Sequence, residues 1–478
     1  MSATGEPVPI RFGTDGWRAV IAEGFTFANL ERVAQAYAEF LQHQAANASS
    51  SLVIVGCDRR FLSEHFALHA AEVLAGNGFR VALFPEAVPT PLVSWAVREQ
   101  GALGGVIITA SHNPPEFNGF KIKAPWGGSA TTETTSAVEA LLDKHPVERA
   151  NLSATDARAF YEECVESYRA QVSDYVDLNR LRASKLRVIV DSMHGSGARW
   201  VESFLQGGAL EAETIRAERD ALFGGVNPEP IDRNLSPLKQ RVRERGATLG
   251  LATDGDADRV GAVNELGETM TMHEVVPLIL LHLARNRGMR GGVVRTFSQS
   301  VLLKRICESL NLTLFETPIG FKYVADLMLR ENILMGAEES GGIGVAGHIP
   351  ERDGLLNSLL FLETVVAAGK PPSELVREMH REFGEFHFNR RDLHMPVERG
   401  LALVEALAEN SPSQIAGYKV VGCERLDGTK LLFEDESWLL FRQSGTEPVL
   451  RVYAEATTTD KTDALLSEGE ELATSANS

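Results

Sequence analysis

Ser111 stands in a segment whose residue types could carry out chemistry. The preceding run Val106-Ile107-Ile108 is short and apolar, which predicts a buried strand. The strand ends at residues 109–114, Thr-Ala-Ser-His-Asn-Pro, because Pro114 lacks a backbone donor and disfavours a helix before it. Open α/β sheets bind ligands just beyond the carboxyl ends of their strands. The hydroxyl of Ser111 is therefore a candidate nucleophile or phosphate carrier, and a polar turn that caps the next element is the alternative.

Three aspartates follow another apolar run at alternate positions. Asp254, Asp256 and Asp258 come directly after the run 249–253. Three carboxylates this close repel one another unless a cation lies among them. Carboxylate oxygens are hard ligands that favour Mg²⁺, Ca²⁺ or Mn²⁺. The spacing therefore indicates a divalent metal site, with a solvated acidic turn as the alternative.

Two further segments are suited to phosphate and to sugar. The run 442–446, Arg-Gln-Ser-Gly-Thr, groups a guanidinium fork, two hydroxyls and a glycine that lets the backbone approach an anion closely. A hairpin turn would explain the Ser-Gly pair but not the combination of Arg442 with Thr446. The run 338–342, Glu-Glu-Ser-Gly-Gly, sets acceptors beside small residues, which suits sugar hydroxyls. It would serve equally well as the start of a helix.

Composition excludes several other classes of protein. The chain has 478 residues, a net charge of −18, 44% apolar and 23% charged residues, which is typical of a globular protein with several domains. The acidic balance and the lack of a basic tract argue against nucleic acid as a partner. No segment has the apolar length of a membrane helix and the start resembles no signal peptide, so we expect a cytoplasmic protein without a membrane partner. The four widely spaced cysteines predict neither a disulfide framework nor a thiolate metal site.

The elements that must position these residues alternate between strand-like and helix-like segments. Strand-like apolar runs are found at 52–56, 81–84, 106–108, 188–190, 249–252, 293–294 and 333–335. Helical spacing is found between them, as in 30–41 and 66–74, and this alternation predicts an α/β fold. Strand-and-turn patterns that begin near positions 51, 186 and 291 hint at three related units. Residues 143–158 are polar enough to join two units, and Lys370-Pro371-Pro372-Ser373 marks a break before the last one.

Taken together, these motifs resemble those of the α-D-phosphohexomutase superfamily, the phosphoglucomutases and phosphomannomutases. Four loops carry the resemblance in chain order: residues 109–114 as phosphoserine loop, 254–259 as metal loop, 338–341 as sugar loop and 442–446 as phosphate loop. The similarity extends over nearly the whole chain, from Gly13-Thr14-Asp15-Gly16 to Pro448. One such loop could arise by chance, whereas four in this order are a specific signal.

The resemblance implies an α/β protein with the four-domain phosphohexomutase architecture. Three related mixed α/β domains and a smaller C-terminal α+β domain would surround a central cleft. The expected boundaries are 1–150 for the domain with the phosphoserine loop, 151–262 for the metal loop, 263–374 for the sugar-binding loop and 375–478 for the phosphate-binding loop.

The implied activity is that of an intramolecular phosphotransferase, which interconverts hexose 1-phosphate and hexose 6-phosphate. Ser111 would carry the phosphoryl group, give it to the free hydroxyl, and take the other phosphoryl group back from a hexose 1,6-bisphosphate. One Mg²⁺ per chain would be held by Asp254, Asp256, Asp258 and a phosphoserine oxygen, with glucose 1,6-bisphosphate as activator. We expect glucose phosphate to be preferred and mannose phosphate to be tolerated.

The implied site has to balance a large negative charge. Three aspartates and a phosphate dianion carry about −5, and one Mg²⁺ leaves about −3. Lys121 and Arg259 would offset more of it, and His112 would contact the phosphoryl oxygens. Lys121 is the implied general base, with a pKa that neighbouring cations lower. The other implied substrate contacts are Arg18, His194, Arg295, Gly320, Lys322, Glu338, Ser340, His348, Arg352, Arg442, Ser444, Gly445 and Thr446.

One departure from the family pattern leaves the second acid/base open. Gly342 stands where many of these mutases have a histidine, and we expect His348 or Arg352 to fill part of that role. The alternative functions are a phosphoglucosamine mutase and a metal-dependent phosphatase or phosphotransferase that uses the same serine. A non-catalytic sugar-phosphate-binding protein is disfavoured, because Ser111 and the aspartates are all kept. We expect a monomer or a homodimer.

Overall fold

The computed structural model describes residues 10–13, 15–45, 50–152, 157–445 and 448–475. The chain forms two compact units. The first comprises the described residues up to Met270 together with Ala325–Glu331 and Ser340–Ser373. The second comprises Thr271–Val324, Asn332–Glu339 and the described residues from Glu374 onward.

Strands and helices alternate along most of the chain. The strands are β1 Trp17–Val20, β2 Leu52–Cys57, β3 Arg80–Leu83, β4 Gly104–Ile108, β5 Phe117–Lys123, β6 Arg187–Asp191, β7 Glu211–Ile215, β8 Leu249–Thr253, β9 Val260–Val263, β10 Thr269–Met270, β11 Gly292–Thr296, β12 Leu314–Thr317, β13 Ile333–Ala337, β14 Ile343–Val345, β15 His387–His394, β16 Gln414–Ile415, β17 Tyr418–Glu424, β18 Thr429–Phe433, β19 Trp438–Gln443 and β20 Val449–Ala456. The α-helices are α1 Phe27–Ala45, α2 Ser63–Gly76, α3 Thr90–Glu99, α4 Thr132–Leu141, α5 Ala157–Tyr175, α6 Leu178–Ala183, α7 Trp200–Leu205, α8 Ser236–Arg245, α9 Met272–Leu281, α10 Val301–Leu310, α11 Phe321–Arg330, α12 Gly354–Ala368, α13 Pro372–Phe383, α14 Val397–Glu409 and α15 Thr459–Ser475.

The first sheet has the strand order β1-β5-β4-β2-β3. Strand β2 runs parallel to β3 and β4, whereas β5 runs antiparallel to β4 and to β1. Alternate residues of β2 and β4, such as Val53 and Val106, pack in one core with Leu30 and Phe66 of helices α1 and α2. The intervening residues of β2 are buried too, which explains its continuous apolar sequence.

The second sheet repeats this topology with the order β10-β9-β8-β6-β7. Here β6 runs parallel to β7 and β8, and β9 runs antiparallel to β8 and β10. In the second unit β11 lies parallel between β12 and β13. The repetition supports the three related units that the sequence pattern hinted at. It also makes β4, β8 and β13 equivalent strands, and each of the first three loops of the resemblance follows one of them.

The fourth sheet is antiparallel, with the order β15-β20-β19-β18-β17-β16. Its inner face forms a core with helices α14 and α15, in which Phe441 and Leu465 are fully buried. The strands on either side of the 442–446 segment are β19 and β20, which pair with each other. The predicted architecture of three mixed α/β domains and a C-terminal α+β domain is confirmed.

Two smaller predictions can also be compared with the structure. All four cysteines are free thiols, as their spacing predicted. Burial raises the pKa of the Cys57 thiol, so that this residue at the end of β2 packs as an apolar side chain. Within the described ranges, no helix combines the length and the apolar character that crossing a lipid bilayer requires.

Candidate active site

The three aspartates of the predicted metal loop lie between β8 and β9 in the first unit. Their side chains are fully buried, and one carboxylate oxygen from each lies within 4.8 Å of the others. Asp254 Oδ1 accepts hydrogen bonds from the backbone N–H groups of Asp258 and Arg259, both at 3.1 Å. These two hydrogen bonds fold the loop around the carboxylate of Asp254, and the three carboxylates lie close together.

The free oxygens of this loop are suited to a hard cation. Among the described residues, Asp256 Oδ1 and Asp258 Oδ1 are buried atoms without a hydrogen-bond partner. Burial raises the pKa of Asp254 well above its usual value, and the charges of Asp256 and Asp258 raise it further. Unpaired buried carboxylate oxygens are costly unless something coordinates them. The donor set thus fits a divalent metal ion such as Mg²⁺.

Ser111 lies three residues past β4 and reaches the acidic loop directly. Its Oγ donates a hydrogen bond of 2.7 Å to Asp254 Oδ2, and His112 Nδ1 lies 3.5 Å from the same Oγ. The Ser111 backbone has a φ of 52°, in the left-handed region that non-glycine residues rarely adopt. The structure therefore brings together the serine and the aspartates that the sequence selected separately.

Lys121 also contacts this cluster, from strand β5. Its Nζ lies 2.8 Å from Asp256 Oδ2, 3.1 Å from Asp258 Oδ2 and 2.9 Å from Asp15 Oδ2. Burial alone would lower the pKa of Lys121, but these three carboxylates raise it above its ordinary value. The prediction that neighbouring cations lower this pKa is therefore wrong, because the nearest charged groups are carboxylates. Lys121 is an ammonium ion at neutral pH in this arrangement.

Two predicted arginines also lie close to the carboxylates. Arg352 Nη2 is 2.9 Å from Asp258 Oδ2 and forms an ion pair with Asp15. Arg259 Nε lies 3.9 Å from Asp258 Oδ1. These guanidinium groups and Lys121 offset much of the negative charge that the sequence predicted for this site.

Arg18 also contacts the predicted phosphoserine loop. Its Nη1 donates a 2.6 Å hydrogen bond to Asn113 Oδ1, two residues after Ser111. Burial lowers the pKa of Arg18, and the charge of Asp15 raises it in part. An arginine stays protonated under such conditions, so that Arg18 brings a further positive charge to the serine loop.

Part of the predicted sugar loop lies against the metal loop. The N–H of Val260 donates a 3.0 Å hydrogen bond to the carbonyl of Gly341, and Arg259 and Gly342 form an isolated β-bridge. Gly341 has a φ of 94°, and a Cβ at this position would overlap the carbonyl of Val260. Glycine is therefore required there, and Ser340 is fixed beside the metal loop.

The predicted His194 lies on another turn that packs on the metal loop. Its neighbour Gly195 approaches the backbone of Asp254 and Gly255 so closely that a Cβ would lie 2.7 Å from the Gly255 carbonyl. The His194 ring itself is solvent-accessible and its Nδ1 lies 3.0 Å from the carbonyl of Glu218.

His348 lies in a different environment from the acidic cluster. Its Nε2 is 2.9 Å from Asp353 Oδ2, and its ring stacks on Trp95 with a centroid distance of 5.6 Å. Asp353 caps helix α12 and also accepts a hydrogen bond from Tyr168. Of the two residues of which one or the other was expected to fill part of the second acid/base role, Arg352 contacts the carboxylate cluster and His348 contacts Asp353 and Trp95.

The second unit holds the predicted phosphate loop. Arg442, near the end of β19, pairs through Nε with Asp427 Oδ2 at 2.9 Å. The same Asp427 oxygen accepts a 2.8 Å hydrogen bond from the N–H of Ile319, the residue before Gly320. Asp427 thus joins the arginine of the phosphate loop to the turn that contains the predicted Gly320.

The other predicted residues of the second unit lie near the ends of strands or, in the case of Lys322, in the first turn of α11. Arg295 of β11 pairs with Glu316 at 2.9 Å, and the Lys322 ammonium lies 5.1 Å from the ring centroid of Tyr323. Glu338 is buried directly after β13, and the N–H of Ser444 donates to the carbonyl of Val449. Gly445 is exposed, and Thr446 lies outside the described residues.

The sequence interpretation did not select three residues that hold the predicted ones in place. Asp15, in the quoted Gly13-Thr14-Asp15-Gly16 motif, contacts Lys121 and Arg352. Thr90 donates from Oγ1 to Asp256 Oδ2 at 2.7 Å, and Asp427 holds Arg442. The glycine-rich motif was a usable signal for Asp15, whereas nothing in the local sequence distinguishes Thr90 or Asp427.

Four family models match the chain in order. They are the phosphoglucomutase/phosphomannomutase α/β/α domains I at residues 9–148, II at 166–267 and III at 272–383, and the C-terminal domain at 396–471. Together they cover most of the sequence, and their order is that of the four sheets.

Individual proteins agree with this assignment. The phosphoglucomutase/phosphomannomutase of Thermococcus kodakarensis is 31% identical over 94% of this chain and 95% of its own length. The phosphoglucosamine mutase of Halorhodospira halophila is 30% identical over 93% of this chain and 92% of its own. The crystal structure of a putative phosphomannomutase from Thermus thermophilus superposes with a TM-score of 0.85 at 38% identity, and covers 98% of this chain and 99% of that one. The chain belongs to the phosphoglucomutase/phosphomannomutase family and is an isomerase of the intramolecular phosphotransferase type.

Proposed function

We propose that this enzyme interconverts hexose 1-phosphate and hexose 6-phosphate through a phosphoserine at position 111. The phosphoryl group of Ser111 passes to the free hydroxyl of the substrate, which gives a hexose 1,6-bisphosphate. After reorientation, the other phosphoryl group returns to the Ser111 oxygen and the isomerised monophosphate leaves. Each half-reaction forms one P–O bond and breaks another, so no water is consumed.

The observation that carries this proposal is the hydrogen bond between Ser111 Oγ and Asp254 Oδ2. At 2.7 Å it places the nucleophile oxygen in direct contact with the carboxylate cluster. A phosphoryl group on Ser111 would share its surroundings with the free oxygens of Asp256 and Asp258. Phosphoryl transfer depends mostly on positioning and on charge stabilisation, and this arrangement supplies both.

Asp254, Asp256 and Asp258, with an oxygen at Ser111, are the residues that would hold Mg²⁺. The ion would withdraw charge from the phosphoryl oxygens when bound. Glucose 1,6-bisphosphate is the activator we propose, because it would phosphorylate Ser111 in any molecule that has lost its phosphate.

Lys121 contributes positive charge rather than a basic amine in this proposal. Its contacts with Asp15, Asp256 and Asp258 keep the ammonium protonated and fix it among the carboxylates. Arg352 shares two of these carboxylates, so it holds the same cluster from a second direction. We infer that both side chains position the aspartates and balance their charge, and that Arg18 and His112 contact the phosphoryl oxygens.

Glucose phosphate is the substrate we propose first, with mannose phosphate as a second one. The Glu338-Glu339-Ser340 form of the sugar loop resembles the form of phosphoglucomutases more than that of the other mutases of the family. Glucosamine phosphate is the alternative substrate, because relatives such as that of Halorhodospira halophila are named phosphoglucosamine mutases. A single hydroxyl or amine changes few contacts, so activity has to decide between them.

The test is a coupled assay with glucose 1-phosphate, mannose 1-phosphate and glucosamine 1-phosphate, each with Mg²⁺ and a catalytic amount of the matching bisphosphate. The proposal expects the highest kcat/KM with glucose 1-phosphate. A tenfold preference for glucosamine 1-phosphate would show that glucosamine phosphate is the substrate instead. Release of inorganic phosphate without an isomerised sugar would contradict both and indicate a phosphatase.

A further inference from the structure

Arg60 is a fully buried cation that contacts the backbone of the predicted phosphoserine loop. It stands in the turn after β2, and its guanidinium donates to four backbone carbonyls of one loop. Nη2 donates to the carbonyls of Ser111 and Asn113, both at 2.6 Å. Nη1 donates to the carbonyls of Pro114 and Phe117, at 2.7 Å and 3.0 Å. One side chain thus binds the loop that follows the candidate nucleophile along its whole length.

Asp58 provides a second attachment, which acts on the backbone N–H of Ser111 rather than on its carbonyl. Its Oδ2 lies 3.2 Å from Arg60 Nε and accepts a 2.6 Å hydrogen bond from Thr109 Oγ1. That Thr109 oxygen in turn accepts a 2.9 Å hydrogen bond from the N–H of Ser111. The carbonyl of Ser111 is therefore held by Arg60 itself, and its N–H is held by the partner of Arg60 through Thr109.

The backbone of Ser111 needs such support. A φ of 52° is unfavourable for a residue with a Cβ, and such a conformation persists only where the surroundings enforce it. Hydrogen bonds from a charged donor are stronger than those between neutral groups. A guanidinium offers five donors in a fixed plane, whereas an ammonium is a compact point charge. The four carbonyls match the first geometry and not the second.

We infer that Arg60 is a positioning residue for phosphoryl transfer, which holds Ser111 in the backbone conformation that directs Oγ at Asp254. This inference rests on the proposed role of Ser111 as phosphoryl carrier. Arg60 makes no contact with Oγ itself, so it acts through the loop. A reacting atom that is misplaced by about 1 Å can lower a rate about 100-fold, which makes the backbone at Ser111 a sensitive point.

A purely structural role is the competing explanation. The Arg60 guanidinium lies 4.9 Å from the ring centroid of Phe223, so its loss would also weaken packing. Loss of packing lowers the amount of folded enzyme but leaves kcat per folded molecule unchanged. A positioning role lowers kcat of the folded enzyme and leaves KM for the hexose phosphate nearly unchanged, because the guanidinium of Arg60 is buried and directed at backbone carbonyls.

The experiment compares Arg60→Lys with Arg59→Lys in the full-length enzyme. Arg59 is the neighbouring arginine, and its guanidinium donates to the carbonyl of Ala217 and not to the serine loop. Circular dichroism and the Tm establish that each variant is folded. We expect Arg60→Lys to lower kcat about 10- to 100-fold with KM within about twofold, and Arg59→Lys to keep both values. Hydrogen exchange in residues 110–118 should rise in Arg60→Lys alone.

Each other outcome is informative. Wild-type kcat in folded Arg60→Lys, or a matching loss in Arg59→Lys, would overturn the inference while the phosphoserine proposal stands. Absence of phosphate on Ser111 in active wild-type enzyme would instead overturn the proposed function. If Arg60→Lys does not fold, Thr109→Val decides, because it removes the hydroxyl between Asp58 and the Ser111 N–H and leaves Arg60 in place. The inference then requires a loss of kcat at unchanged KM, and an unchanged kcat would contradict it.

Discussion

Ser111 Oγ and Asp254 Oδ2 are joined by a 2.7 Å hydrogen bond although 143 positions of sequence separate the two residues. The contact links the loops after β4 and β8, which are equivalent strands of two sheets with the same topology. The same sheet topology thus carries two different loops at equivalent positions, one with the candidate nucleophile and one with the candidate metal ligands.

The first prediction concerns the phosphoryl carrier. Ser111→Ala removes the only oxygen proposed to hold the phosphoryl group, so turnover should fall at least about 1,000-fold while the Tm stays close to that of the wild type. Mass spectrometry of the active wild-type enzyme should find one phosphate, located at Ser111. Full activity in an enzyme without that phosphate would contradict the mechanism.

Thr90 should influence metal affinity through Asp256. Its hydroxyl donates to Asp256 Oδ2 at 2.7 Å, and residues that orient metal ligands typically change affinity about 10- to 100-fold. We expect Thr90→Val to weaken Mn²⁺ binding about tenfold or more, as measured by electron paramagnetic resonance of the free ion. Thr90→Ser keeps the hydroxyl and should bind Mn²⁺ nearly as the wild type does. Equal affinity in both variants would exclude this role.

Lys121 and Lys123 provide a matched pair of variants that tests which positive charge balances the aspartates. Both are buried on β5, but Lys121 contacts Asp15, Asp256 and Asp258, whereas Lys123 pairs with Glu351 at 2.7 Å. Removal of one partner of a buried ion pair costs about 3–5 kcal/mol, so both methionine variants should have a lower Tm.

Mg²⁺ should change the Tm of Lys121→Met and of Lys123→Met by different amounts. The ion would replace the missing charge among the aspartates of Lys121→Met and raise its Tm more than that of the wild type. Lys123→Met removes a partner of Glu351, which keeps its contacts with Ser129 and Arg352. Because Glu351 lies outside the metal loop, this variant should respond to Mg²⁺ only as the wild type does. Thermal unfolding with EDTA and with Mg²⁺ tests this, and identical responses would argue against a metal in the aspartate cluster.

Asp427 should matter for substrate affinity. It holds Arg442 at 2.9 Å and the N–H of Ile319 at 2.8 Å, so Asp427→Asn should release both predicted substrate loops. We expect KM for the hexose phosphate to rise about 5- to 30-fold, which corresponds to about 1–2 kcal/mol of lost binding, with a smaller change in kcat. Asp435→Asn is the control, because Asp435 pairs with Lys461 instead. An unchanged KM in Asp427→Asn would remove Asp427 from the site.

Lys430 gives a prediction for the dependence of stability on pH. Burial lowers its pKa from 10.5 to about 8, and Glu316 offsets only part of that effect. The folded protein therefore binds the proton less tightly than the unfolded chain does, and this lysine makes stability rise with pH between about 8 and 10.5. Below pH 8 the buried charge costs stability, on the order of 3 kcal/mol.

Lys430→Met should remove that cost. At pH 7 we expect a higher Tm than in the wild type, and the difference should shrink as the pH rises and approach zero above pH 10.5, apart from the lost contact with the Phe297 ring. Lys419→Met replaces an exposed lysine that pairs with Glu434, and should show no such pH dependence. A wild type that is more stable than Lys430→Met at pH 7 would show that the contacts with Phe297 and Glu316 outweigh the burial of the charge.

The amino-acid sequence by itself determined the class of fold and the chemistry of the loops. Continuous apolar runs such as 52–56 and 106–108 predict buried strands, and the spacing of Asp254, Asp256 and Asp258 places three carboxylates in one short loop. Strand periodicity and alternate carboxylates are local properties, which is why the pattern was sufficient for them.

The tertiary structure decided which groups surround each other. Lys121 was expected to offset the charge of the aspartates and to have a pKa lowered by neighbouring cations, but the carboxylates that it contacts raise its pKa instead. His348, expected together with Arg352 as a candidate for the second acid/base role, lies 2.9 Å from Asp353 Oδ2, a partner that the sequence did not identify. Electrostatic environment depends on distances through space between residues far apart in the chain, and a single sequence contains no measure of those distances.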